Sequence, residues 1–586
     1  MIRRLFAPVN RFTAGLALVA TLAAPGLAYA SAPLEPAATP PTPRWNTLMD
    51  VDLVEQHLRG YAAAYPDWVT LESIGESAEG RAIWLVTLTN PATGAHDTKP
   101  AMYVDGNTHA NEVQGTEATL YMLDFALKNY GTLDRVTELL DRATFYLVPV
   151  VNPDGRWRWF NEPATANFPR TVVYPVDDDR DGRVDEDGFD DLDGNGVITQ
   201  MRKKVPMGEG THRLDADDPR IMVRVEAGQK GDYVMLPLEG IDNDADGSYN
   251  EDLIGYVDPN RVWGYDWQPE YVQRGAGPYP FAPPEARSIA LWALEHPNIG
   301  AVQTFHNSGA MILRGPGAKS HPRIPRQDLE AFDLIAEEGE RMLPGYDYLI
   351  AWKDLYTVYG STDGHFYRTM GAISFTNELY EAPTDTDGDG ETSPEERWAF
   401  NDLLTLGRQM IDWAPYDHPE FGAIEIGGAR QDVGRVPEGW MLEEETHRNA
   451  AFVLFHAHHL PRIMYGAPRV TQVDRDLWRV ELPVHNDRAI ATMTAVARQA
   501  RLHRPDIATV EGATVIASGI VRDSLRNAID LQEHRPGRLM VEGVPGHGVR
   551  TLFFLLDGRG TATVTYDSVK GGTITVDVPL EATDAR

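Results

Sequence analysis

Cysteine is absent from all 586 residues. Disulfides, thiol nucleophiles, cysteine-bound zinc and lipid anchors on cysteine are therefore excluded. Basic residues are scarce: 53 Lys and Arg stand against 87 Asp and Glu, a net charge of −34. A phosphate backbone calls for a cationic surface, so nucleic acid is not an expected partner. The acidity suits solubility, a salty or calcium-bearing environment, or cationic ligands. Beyond the first 30 residues no apolar run is long enough to cross a bilayer. Hydrophobic residues still make up 42% of the chain, enough for ordinary globular cores. At this length more than one domain is expected.

The chain opens on Arg3, Arg4 and Arg11, an apolar stretch from Phe12 to Ala23, and Ala28-Tyr29-Ala30 before Ser31. This is the pattern of a signal peptide over residues 1–30, and it predicts export to the periplasm or beyond. The Arg3-Arg4 pair hints at twin-arginine export. The competing reading, a membrane anchor, is disfavoured by the shortness of the apolar stretch. Residues 31–44 are rich in Pro and Ala and read as a linker.

Periodicity then predicts a helix from Trp45 to Tyr65, with Leu53, His57 and Tyr61 on one face, and strand-turn-strand from Thr70 to Asn90. Short apolar runs at 100–105, 145–151, 300–305 and 372–379 read as buried strands. Helical patterns lie between them, at Val113 to Leu127 and Pro284 to Leu294. Such alternation predicts an α/β sheet covered on both faces. From about residue 466 the pattern becomes short alternating strands, and a β-sandwich-like C-terminal domain is expected over 466–586.

Three of the strands run out into chemistry. His109-x-x-Glu112, His306 and Glu378 all fall at carboxyl ends, where α/β sheets place their sites. Two histidines and a glutamate make a three-ligand zinc set that leaves a position for water, and Glu378 is a candidate general base. An H-x-x-E alone is weak, with about one chance match expected in a chain this long. A lone strand-end histidine is more often a core residue; here the company it keeps reverses that reading. His456, His458 and His459 read as a helix end rather than a second metal site.

Flanking residues make the pattern specific. They are Gly75-Glu76-Ser77-Ala78-Glu79-Gly80-Arg81, His109-Ala110-Asn111-Glu112, Asn152-Pro153-Asp154-Gly155, Pro259-Asn260-Arg261, His306-Asn307-Ser308 and Ser374-Phe375-Thr376-Asn377-Glu378-Leu379. With them, the chain from about Trp45 to Pro415 resembles the zinc metallocarboxypeptidases, the family that includes carboxypeptidases A and T. The resemblance implies a mixed eight-stranded sheet flanked by helices, in a domain spanning 45–465. It implies zinc on His109, Glu112 and His306, Glu378 as the proton carrier, and Asn260 and Arg261 on the substrate's terminal carboxylate. It matches Tyr356 to the family's mobile tyrosine. Asp363 is a candidate for the side-chain pocket floor, favouring terminal Lys or Arg; it equally fits a loop-capping aspartate.

Two departures stand out. Asn111 occupies a position often held by arginine in digestive members. The oxyanion-stabilising arginine has no clean counterpart: Arg170 is the candidate, and Arg156, Arg158 and Arg202 compete.

Acidic loops interrupt the domain, mostly within 176–252. Asp385-x-Asp387-x-Asp389-Gly390-Glu391-x-Ser393-x-x-Glu396 fits a twelve-residue calcium loop. Asp177, Asp179 and Asp181, then Asp191, Asp193 and Asn195, then Asp242, Asp244 and Asp246, repeat its opening half without the final glutamate. Crowded carboxylates repel unless a cation sits among them, so calcium is an expected second cofactor. The alternative is a solvated acidic loop.

The expectation is an exported monomeric zinc carboxypeptidase acting on peptides with a free terminal carboxylate. Peptidoglycan stem peptides or N-acyl amino acids are alternative substrates for the same chemistry. A non-catalytic, calcium-stabilised surface-binding protein is the alternative from another class.

Overall fold

The computed structural model describes residues 32–581 except 166–169, 178, 179, 217, 391 and 431. The signal peptide expected over residues 1–30 and the loop positions Asp179 and Glu391 lie outside the described residues. An eight-stranded mixed sheet forms the centre. Its strands are β1 (Val69–Glu76), β2 (Ala82–Leu88), β3 (Ala101–Asp105), β4 (Thr144–Val148), β5 (Ile299–Asn307), β6 (Met311–Arg314), β7 (Asp347–Ile350) and β8 (Ile373–Leu379). They lie in the order β1-β2-β4-β3-β5-β8-β6-β7. β4, β3, β5 and β8 run parallel side by side, and β1, β2 and β6 pair antiparallel.

Every residue of β3, β4 and β5 is buried, because helices cover both faces of the parallel strands. Alternate side chains enter different cores. Met102 and Val104 join Phe305, Phe375 and the helices Gln114–Asn129, Arg326–Met342 and Gly439–His458. Ala101 and Tyr103 join Val302, Ile289 and Trp292, the last two on helix Pro284–Leu294. The first helix, Val51–Ala64, buries Val54, Leu58 and Tyr61. Leu53, assigned to that face from periodicity, is instead exposed. The true stripe runs i, i+4, i+7, one residue out of phase.

The acidic insertion is not all loop. Its strands Gln200–Lys204, His212–Leu214, Met222–Arg224 and Tyr233–Leu238 join the hairpin Met410–His418 and Gly422–Ala429 in a six-stranded sheet. The joint is the pairing of 200–202 with 425–427. Two further sheets, of six and four strands, pack over a shared core of Val480, Leu482, Phe554, Val564 and Tyr566 to form the C-terminal β-rich part. Buried Lys570 in this part donates a hydrogen bond to the Ile299 carbonyl at the start of β5. No helix among the described residues is long and apolar enough to cross a membrane.

Candidate active site

The loop after β3 is held in a tight turn. Asn107 takes a left-handed φ of 55° and its side-chain amide donates to the carbonyls of His109 (2.9 Å) and Ala110 (3.1 Å). Gly106 and Gly115 touch backbone to backbone; a Cβ on Gly106 would sit 2.5 Å from Gly115 C. That close approach draws the start of helix Gln114–Asn129 onto the sheet and turns residues 109–112 across the strand ends. Arg156, fully buried, braces the turn from below through Asn107 Oδ1, the Val113 carbonyl and Thr116, and pairs with Glu117 at 2.8 Å.

Two of the flanking motifs have the same structural duty. Asp154 accepts from Ser77 Oγ (2.6 Å), the Glu79 N–H (2.9 Å) and Arg81 (2.7 Å), tying the segment 75–81 to the Asn-Pro-Asp-Gly turn.

His306 and Glu378 are register partners on parallel strands β5 and β8, so their side chains leave the same face of the sheet. His109 Nδ1 lies 2.9 Å from Glu112 Oε1 and 3.1 Å from His306 Nδ1, which is 2.9 Å from Glu112 Oε2. These atoms fit zinc. Bonds of about 2.0–2.1 Å at tetrahedral angles put ligand atoms roughly 3.3 Å apart. Two imidazole nitrogens facing each other also need a proton or a cation between their lone pairs. Asp258 Oδ1, 2.9 Å from His109 Nε2, fixes the histidine proton there and leaves Nδ1 free for a metal.

Asp258 escaped the sequence reading, although it begins the run Asp258-Pro259-Asn260-Arg261. Its carboxyl is pushed up by burial, but the charges of His109, Arg261 and Arg170 hold it well below the usual range. Glu112 is held low in the same way: burial raises it, and His109 and Arg170 outweigh that. Glu378 goes the other way. Burial and the neighbouring Glu112 charge push it up to about 7, against the pull of His306, Arg170 and Arg435.

Arg170 reaches the cluster. Its Nη1 donates to Glu112 Oε1 at 2.8 Å, and Nη2 is 3.2 Å from His109 Nε2. Its competitors are committed elsewhere: Arg156 below the loop, Arg158 to Glu79 and Glu162, and Arg202 to Glu425. Asn260 Nδ2 lies 3.3 Å from His306 Nε2, and its Oδ1 accepts from the Thr362 N–H at 2.9 Å. Arg261 lies beside Tyr356, with Nη2 3.4 Å from the hydroxyl. Tyr356 itself is half exposed.

Residues 54–190 and 243–389 match the family model for zinc carboxypeptidases. This chain belongs to the zinc carboxypeptidase family. Carboxypeptidase D of Homo sapiens is 31% identical over 138 residues, 24% of this chain and 10% of that protein. The chain thus spans about a tenth of the length of that relative. Carboxypeptidase B of Astacus astacus is 24% identical over 379 residues, 63% of this chain and 95% of that protein. The crystal structure of carboxypeptidase A from Helicoverpa armigera is 17% identical with a TM-score of 0.43, covering 71% of this chain and 74% of that one. Residues 462–579 match the model of a domain of unknown function.

In this zinc carboxypeptidase-family chain Asp363 is buried in the one-turn helix Thr362–His365, its carboxyl raised by burial and partly offset by hydrogen bonds from Ser361 and the Gly364 N–H. It lines a cavity of about 10 Å³ together with Tyr265 and Arg368. His456 is buried within helix Gly439–His458, which His459 terminates.

The acidic loops partly converge. Asp181 and Glu186 come together with Asp244, and Asp187 and Glu251 also reach Asp244. Asp191 and Asp193 meet Glu239, and Asp242 and Asp246 meet Asp244. Asn195 donates through its side-chain amide to the Asp193 carboxylate (2.8 Å). Glu186 and Glu251 are pushed up to about 7 by partial burial and by hydrogen bonding to Asp252 and Asp187. In the loop 385–396, Asp385 and Asp387 accept from the N–H groups of Gly388, Gly390 and Asp389. Ser393 and Glu396 form a capping box that opens helix Pro394–Leu404. Sequence spacing alone did not single out Glu186, Glu239 or Glu251.

Proposed function

We propose that the protein is an exported zinc carboxypeptidase that removes the C-terminal residue of peptides. The convergence of His109 Nδ1, His306 Nδ1 and the Glu112 carboxylate, beside Glu378 on the next strand, carries this reading. His109, Glu112 and His306 would hold the metal, with Asp258 orienting His109. Bound zinc would acidify a water and polarise the scissile carbonyl.

Glu378 takes a proton at its carboxylate and delivers it to the leaving amine; a carboxyl titrating near neutrality does both. Arg261, with its planar fork, binds the substrate's terminal carboxylate, and Asn260 assists. Tyr356, at the mouth of the cleft, covers the bound residue. Arg170 supports the negative charge that develops on the carbonyl oxygen. Calcium in the converging loops 177–196 and 242–252 would relieve the crowding of their carboxylates.

The test is mass spectrometry of a mixed peptide panel with the zinc-loaded protein, with and without a chelator. Stepwise C-terminal loss that the chelator stops is expected. Glu378→Gln should lower kcat by about 10²–10⁴-fold while zinc content is retained. The order of release reads whether Asp363 selects terminal Lys or Arg. Intact peptides with bound zinc would overturn the reading and turn attention to cell-wall stem peptides and N-acyl amino acids.

A further inference from the structure

A cavity of about 540 Å³ is lined by Ser308 and Gly309, which follow His306 in the chain, and by Arg435, which lies 3.8 Å from Glu112. The His306 ring turns Nε2 to Asn260 and Nδ1 to Glu112. Arg435 lies beyond Glu112, with Nη1 3.8 Å from Oε1 and a 2.9 Å bond to the Asn307 carbonyl. Arg435 and Ser308 then form the near wall of the cavity. Contacts thus step from Arg261 to Asn260, to His306, to Glu112 and to Arg435 at the cavity wall. A peptide with its terminal carboxylate at Arg261 and its last peptide bond at the cluster leads its upstream residues into this space.

The lining is cationic in a chain of net charge −34. It carries Arg397, Arg430 and Arg435 against one carboxylate, Glu381. Arg430 is engaged by Asp432 through two N–H groups (3.0 and 2.7 Å). Arg397 makes no ion pair among the described residues and stands on the exposed side of helix Pro394–Leu404, next to Trp398. All three arginines come from the segment 390–461, which neither family model covers. Elsewhere in the wall, Ser308, Gly309, Glu381, Ala382 and Thr384 come from residues the zinc carboxypeptidase model does match.

We propose that this cavity is a specificity subsite that takes an acidic side chain of the substrate, one to three residues upstream of the bond that is cut. It rests on the carboxypeptidase reading. An extended chain advances about 3.3–3.6 Å per residue, so three residues reach roughly 10 Å beyond the cluster, into the cavity. Guanidinium groups match carboxylates in geometry as well as in charge.

The test uses the zinc-loaded protein and peptides of one terminal residue, with Glu or Lys placed at each of the three upstream positions in turn. At one or more positions kcat/KM should favour Glu over Lys by about tenfold, the scale of one well-placed charge contact. Arg397→Glu, checked for zinc content and circular dichroism, should bring that ratio to one or reverse it. Cleavage with no Glu preference at any position overturns the subsite alone, as does a preference that Arg397→Glu leaves intact. Failure to cleave any peptide overturns the carboxypeptidase reading and the subsite with it.

Discussion

His109 can offer Nδ1 to a metal only while its proton sits on Nε2, and the Asp258 carboxylate 2.9 Å away favours that tautomer. Asp258→Asn exchanges one acceptor oxygen for a donor and removes the charge. It should weaken zinc binding by about 10–100-fold, the usual cost of losing such a partner. Chelator competition measures this directly, and an unchanged affinity would remove Asp258 from the site. The meeting of His109, Glu112 and His306, with Glu378 on the next strand, was legible because zinc chemistry restricts residue types and a parallel sheet restricts places. Asp258 was not, since aspartate before a proline is also ordinary loop chemistry. Arg435 was less so: it lies 323 residues after Glu112 in sequence and 3.8 Å from it in space.

At the scale of elements, the acidic loops divide. Ser393 and Glu396 cap a helix, and Glu396 is held at about 2 by the backbone and side-chain donors of Ser393 and Thr386. The pair 177–187 and 242–251 instead gathers carboxylates, and Glu186 and Glu251 among them are raised by burial first and by neighbouring carboxylates second. Calcium should therefore stabilise the protein through the second group. At a hundredfold excess over Kd the gain is about 2.7 kcal/mol. Urea unfolding in calcium and in EGTA measures it, and Asp187→Asn should abolish most of the difference. Identical curves in both solutions would leave the loops as metal-free acidic turns. Strands β3, β4, β5 and β8 were readable because burial on both faces writes continuous apolar runs, while the short β6 and β7 left no such run and were not. The second sheet was not, because the pairing of 200–202 with 425–427 is a long-range contact that no local period encodes.

Across the whole molecule, Lys570 joins the β-rich part to the main sheet. Burial lowers its ammonium to about 7, from 10.5. Between pH 7 and 10 the unfolded chain therefore carries a proton that the folded chain lacks, and the Lys570 contribution makes stability rise with pH. The slope is up to about 1.4 kcal/mol per pH unit, and it vanishes below 7, where both states are charged. Denaturation of the native protein and Lys570→Met at pH 6, 7.5 and 9 checks this. The native protein should gain on the variant as pH rises; parallel behaviour would mean that Lys570 keeps its charge when buried.

The sequence by itself determined the family and the scaffold. Ligand types, strand-end placement and the change from helical to alternating periodicity are local properties, written in a few neighbouring residues. The tertiary structure decided which arginine reaches the cluster, which carboxylate orients His109 and which acidic loops meet. It also gathered Arg397, Arg430 and Arg435, from an otherwise acidic segment, around one cavity. Those outcomes depend on packing between segments hundreds of residues apart, and distance in the fold is not a property of spacing along the chain.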